Sequence, residues 1–169
     1  IARGANALAE TPPSEAPHLA QNAHFFVELG LDLLTTALRR SRFDIHDEAT
    51  VSKLLPLVKA VGETLYARNA PVVERGLRAV AALARCPLPN LDETLPVMQK
   101  QMLLLLRHAG GIHSSMAQTT LRSLSVVLRE GRARAPPARQ LTELLNLVSS
   151  ELDAPDAQTS VFALLRAIV

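Results

Sequence analysis

Apolar residues recur every three to four positions along most of this chain, the spacing of amphipathic helices rather than of strands. Between residues 18 and 40, Leu19, Phe26, Leu29, Leu33, Leu34, Ala37 and Leu38 form such a series and predict a helix with these side chains turned inward. Arg39, Arg40 and Arg42 follow, a cationic end that suits the negative pole of a helix. Asp47 is placed to cap a second helix, in which Val51, Leu54, Leu55, Val58, Val61 and Leu65 make one face and Pro56 predicts a kink. Asn69-Ala70-Pro71 turns the chain into a helix over 72–85 with Leu77, Val80, Ala81 and Leu83 inward, and Pro87-Leu88-Pro89 stops it.

Two more pairs follow. Helices over 91–108 and 114–130 are divided by Gly110-Gly111, the first capped by Asn90 or Asp92 and carrying its own internal Pro96. After a linker over 131–137, helices over 138–152 and 156–169 are divided by Asp153-Ala154-Pro155. Residues 1–17 hold Thr11-Pro12-Pro13-Ser14 and Pro17, a cluster that removes backbone donors and favours extended or turn conformations, so they form a linker or insertion.

The second helices repeat. Gly30-Leu31 aligns with Gly76-Leu77, Thr120-Leu121 and Val161-Phe162, at successive separations of 46, 44 and 41 positions, with Leu34, Val80, Leu124 and Leu165 three residues further on. In the first helices, Leu55-Pro56-Leu57 recurs as Leu95-Pro96-Val97, and the third pair lacks that proline. A period of roughly 40–47 residues is that of HEAT and armadillo units. A helix pair cannot hide its apolar face alone, so stacked pairs share a continuous core. The expected architecture is all-α, a HEAT/armadillo-like α-solenoid (α-α superhelix). It comprises the second helix of a leading repeat (18–41) and three repeats (47–86, 90–130 and 138–169). The chain begins with Ile1 and ends inside a helix pattern, which suggests a fragment of a longer array.

Composition adds constraints. The chain of 169 residues is 48% hydrophobic and 20% charged, ordinary for a folded protein, while aromatics are 3% and Trp is absent, so the core is aliphatic. Lys plus Arg exceed Asp plus Glu by 18 to 16, a net charge of +2 that does not by itself announce a nucleic-acid binder. The densest apolar run, residues 102–106, stops at Arg107 and His108, well short of the roughly 18 residues a membrane span needs, so no membrane partner is expected. The single cysteine, Cys86, cannot close an internal disulfide, which points to an intracellular protein, and beside Pro87 it reads as a small buried apolar residue.

Catalytic chemistry is hard to locate. The five histidines, at positions 18, 24, 46, 108 and 113, form no ligand set: His108 and His113 flank Gly110-Gly111 with no third ligand nearby. The glycine pair matches no phosphate-binding fingerprint and is explained by a turn between helices. Asp47-Glu48, Asp92-Glu93 and Glu151 sit where helix N-termini and turns place acids. The expectation is therefore no enzyme, no cofactor, no metal and no small-molecule substrate.

The arginines are more informative. Arg39, Arg40 and Arg42 close one second helix, Arg85 the next, and Arg129, Arg132, Arg134 and Arg139 run from the third into its linker. Equivalent turns of a solenoid lie along one edge, so these eight residues make a candidate phosphate-facing stripe. Their simpler role is to complement helix C-termini and solvate loops, and no aromatics are interleaved for base stacking.

Ordered short patterns across residues 25–169 resemble a known family. They are Phe25-Phe26-Val27-Glu28 leading to Gly30-Leu31; Asp47-Glu48-Ala49 followed by Leu54; Pro87-Leu88-Pro89; and Gln158-Thr159 leading to Phe162-Ala163-Leu164-Leu165-Arg166-Ala167-Ile168. In this order they resemble the component 20 (down-regulated-in-metastasis) family of the small-subunit processome, very large HEAT-repeat proteins. The resemblance implies a nucleolar, non-catalytic scaffold for small ribosomal subunit assembly and pre-rRNA processing, with assembly-factor proteins, pre-ribosomal RNA and neighbouring repeats of the same longer chain as partners. It carries over no catalytic or RNA-contact residues. The alternative is a protein-binding HEAT module of another kind. The lack of Trp disfavours transport receptors and tubulin binders, whereas a phosphatase-scaffold type remains open.

Overall fold

The computed structural model describes residues 17–40, 44, 46–89, 91–109, 114–130, 137–149 and 155–168, with the backbone alone for 17–21 and 155–158. All seven elements among these residues are α-helices. They are α1 (Pro17–Arg39), α2 (Glu48–Thr64), α3 (Ala70–Leu83), α4 (Leu91–His108), α5 (Ser115–Glu130), α6 (Ala138–Ser149) and α7 (Pro155–Ile168). The expected linkers over residues 1–16 and 131–136, together with Arg42, Arg132, Arg134, Gly110-Gly111 and His113, lie outside the described residues.

The helix starts follow from local chemistry. Asp47 caps α2, its carboxylate accepting from the amides of Ala49 and Thr50 and from the Thr50 hydroxyl at 2.7 Å. Asn69 caps α3, accepting from the Val72 amide at 3.1 Å, with Pro71 in the first turn where its missing N–H costs nothing. The Ser114 hydroxyl does the same for α5 through the Ala117 amide. Pro17 and Pro155 each open a helix, one residue earlier than the apolar pattern predicts, because proline at the first helical position is already set to helical φ. Pro56 and Pro96 lie inside α2 and α4, and both helices run on through them.

The chain divides into two compact units, residues 1–89 and 90–169. In the first, α3 is the central helix, packed against both α1 and α2. Val72, Val73, Gly76, Leu77, Ala79, Val80, Ala82 and Leu83 are all buried, a wide apolar face that meets two neighbours, while Glu74, Arg75 and Arg78 line the remaining side. Gly76 marks a close approach: a Cβ there would collide with Oγ1 of Thr64 on α2, so a larger residue requires the Thr64 side chain to move. In the second unit α5 has the corresponding place, packed against α4 and α7, and it buries Ala117, Thr120, Leu121, Leu124 and Val127.

Burial corrects the predicted inward face of α1. Val27, Leu31, Leu34 and Thr35 are buried, whereas Phe26, Leu29 and Leu33 are 65%, 45% and 62% exposed. The helix has two apolar stripes, and periodicity cannot say which of them meets α3. Ala81 of α3, also expected inward, is only half-buried.

Burial also shifts the last repeat by one residue. Val161 and Leu164 are fully buried, while Phe162 is 53% exposed and Leu165 half-buried. The equivalent quartet is therefore Leu31, Leu77, Leu121 and Val161, each preceded by a small residue, Gly30, Gly76, Thr120 or Ser160, and the final separation is 40 positions rather than 41. Matching Phe162 to leucine by bulk fails because the site selects for a small residue beside the buried aliphatic one.

Candidate functional site

In the corrected register, Arg39, Arg85 and Arg129 occupy the same position of three second helices, eight residues after Leu31, Leu77 and Leu121. Arg39 ends α1, Arg85 lies just past the cap of α3, and Arg129 is in the last turn of α5. All three are exposed, as is Arg40. Each faces the carbonyl pole of its helix, which favours a cation there. Since α1 packs beside α3, Arg39 and Arg85 stand at equivalent ends of neighbouring helices. Arg129 differs in making an ion pair with Glu130 at 3.1 Å, which offsets its charge locally.

Arg139 does not belong with them. It is the second residue of α6, at the amide pole, where it pairs with Glu143 at 3.6 Å, and Glu143 is also held by Arg107 of α4 at 2.9 Å. A cation at a helix N-terminus is electrostatically misplaced unless a carboxylate one turn on offsets it. Among the described residues, the candidate arginines at C-terminal helix ends are Arg39, Arg40, Arg85 and Arg129.

The polar groups that do converge join neighbouring second helices. In the first unit the Arg75 guanidinium of α3 reaches Glu28 and Asp32 of α1, each at 2.9 Å, and Asp32 in particular holds the Arg75 pKa above its ordinary value. In the second unit, Ser160 of α7, itself 2% exposed, donates to Gln118 Oε1 at 2.6 Å and accepts from Arg122 Nε at 3.4 Å. Glu28 and Asp32 are register equivalents of Gln118 and Arg122, so one pair of positions makes both joints. The repeat is legible in the apolar residues alone; these joints are not, because their partners lie 38 to 47 positions apart.

Cys86 is half-buried rather than fully enclosed, with its Sγ 3.6 Å from the Ala82 carbonyl, and burial raises its pKa, which favours the unreactive thiol. The His108 ring lies 2.7 Å from the Leu104 carbonyl of its own helix. Among the described residues no three His, Cys, Asp or Glu side chains gather as a metal site would require. No described helix is long and apolar enough to cross a membrane.

Fold and side-chain geometry therefore define a class, all-helical among the described residues, with polar side chains that join helix to helix. No protein-family model matches this chain. No solved structure matches it either.

Proposed function

We propose that this chain is a segment of a HEAT-type α-solenoid that serves as a non-catalytic scaffold in small ribosomal subunit assembly, in contact with pre-ribosomal RNA and assembly proteins in the nucleolus. The observation that carries it is the equivalence of Arg39, Arg85 and Arg129, exposed at the same position of three second helices. Exposed cations at helix C-termini suit a phosphate backbone and need no base-specific contacts. The family resemblance over residues 25–169 supplies the ribosomal context.

Crosslinking and pulldown from nuclear extract test this. Recovery of pre-ribosomal RNA with the wild-type protein, reduced at this segment by Arg39→Glu, Arg85→Glu and Arg129→Glu together, is expected. Absence of pre-ribosomal RNA from the wild-type pulldown overturns the assignment. The alternative, a HEAT module that binds only proteins, is favoured by the exposed Phe25, Phe26, Leu29 and Leu33 of α1. It predicts stable protein partners and no RNA crosslinks.

A further inference from the structure

Two segments of the chain share one pattern, an arginine three residues ahead of a hydroxyl with a leucine just before it: Arg122-Ser123-Leu124-Ser125 and Arg139-Gln140-Leu141-Thr142. No other serine or threonine has an arginine or lysine at that spacing. A cation at a fixed distance before a hydroxyl is how protein kinases with acidic substrate grooves choose their acceptor. The sequence does not separate the two segments, and the structure does.

The Ser125 hydroxyl is shut in. Ser125 is 8% exposed, donates to the Arg122 carbonyl at 2.8 Å, and lies on α5, which packs against both α4 and α7. Presenting it to an enzyme requires that packing to come apart. Thr142 is exposed, and its hydroxyl donates to the Ala138 carbonyl at 3.0 Å, which leaves the lone pairs of Oγ1 unused. The Arg139 side chain, 90% exposed, stands on the same side of α6 one turn earlier. That helix is also lightly held: Leu144 and Val148 are the buried residues among its 12, so it opens at less cost than a helix enclosed by neighbours.

We infer that Thr142 is a phosphorylation site for a protein kinase that requires arginine three residues before its acceptor. Oγ1 attacks the γ-phosphorus of a nucleoside triphosphate, its proton passes to a carboxylate of the kinase, and the bond from the γ-phosphorus to the bridging oxygen breaks to release the nucleoside diphosphate. The product fits its surroundings, because phosphothreonine carries about −1.5 to −2 charges at neutral pH and Arg139 is within reach of it. Arg139, paired with Glu143 at 3.6 Å, gains a more highly charged partner, and Glu143 keeps Arg107 at 2.9 Å. None of this depends on the RNA contact proposed above, which involves other residues.

Incubation of the full, folded chain with adenosine triphosphate and a kinase of this specificity, followed by mass-spectrometric mapping, tests the inference. Phosphate is expected on Thr142 and not on Ser125, and Thr142→Val is expected to abolish incorporation. Arg139→Ala is expected to lower the rate about tenfold or more, the worth of one charge-assisted hydrogen bond to the kinase, with unaltered helical circular dichroism. Arg139→Lys is expected to recover part of that rate, which a merely structural role of Arg139 does not predict. A chain left unmodified at Thr142, Ser125 modified as fast as Thr142, or Arg139→Ala modified as fast as wild type would each overturn the assignment.

Discussion

The two joints between second helices, α1 with α3 and α5 with α7, use one geometry and opposite chemistry. Both bury an aliphatic row, Val27, Leu31 and Leu34 in one and Ala117, Leu121 and Leu124 in the other. Beside that row the first joint places charges at the surface, where Asp32 and Arg75 retain 53% and 30% of their side-chain exposure. The second places a buried hydroxyl against a carboxamide. The apolar row sets the register in each case, and the polar positions beside it are free to differ. An exposed ion pair contributes little and depends on salt, whereas a buried hydroxyl that loses its partner costs more.

Truncating the shared row separates the units most strongly. Leu31→Ala and Leu121→Ala, both at fully buried positions, are each expected to cost about 2–5 kcal/mol. Amide exchange should show the loss mainly in α1 and α3 for the first and in α5 and α7 for the second. Equal loss everywhere would mean that the two units unfold as one.

Ser160→Ala leaves the Gln118 carbonyl without its hydroxyl donor and is expected to cost about 1–2 kcal/mol in urea unfolding, with no dependence on salt. Arg75→Ala comes next, at about 1 kcal/mol or less after allowance for solvent screening, and its effect should shrink between low and high salt. A salt-independent Arg75→Ala, or a salt-sensitive Ser160→Ala, would reverse the contrast between the joints.

The smallest expected effect concerns pH. Hydrogen bonds from the Thr50 side chain and amide hold the Asp47 carboxyl below its ordinary value in the folded chain. A depressed carboxylate adds stability that is present above its unfolded pKa and is lost as pH falls through the folded one. Asp47→Asn keeps a capping oxygen but does not titrate in this range, so acid unfolding monitored on α2 should become less steep, with stability at neutral pH little changed. An unchanged acid profile would remove Asp47 from the account.

Much of the fold was legible because helix boundaries depend on neighbours in sequence. The span of α4, the cap at Asp47 and the turn into α3 at Asn69-Ala70-Pro71 all follow from spacing and turn chemistry. The choice between two apolar stripes on α1 and the one-residue shift at Val161 did not follow, since both depend on which side of a helix meets another helix. Of the candidate arginines, Arg39, Arg85 and Arg129 kept their equivalence because it comes from the repeat itself. Arg139 did not, because its proximity to the others in sequence placed it at the opposite pole of the next helix.

What the sequence determined by itself was therefore local and periodic: helices of given length, with given caps, recurring at a fixed spacing. Tertiary structure decided what each side of a helix touches. It covered Val72 and Ala79 while leaving Phe26 and Leu33 bare, and it buried Ser160 while turning Phe162 outward. The physical reason is that helix formation is satisfied within a few residues of backbone hydrogen bonding, whereas burial is shared with a surface that lies a whole repeat away.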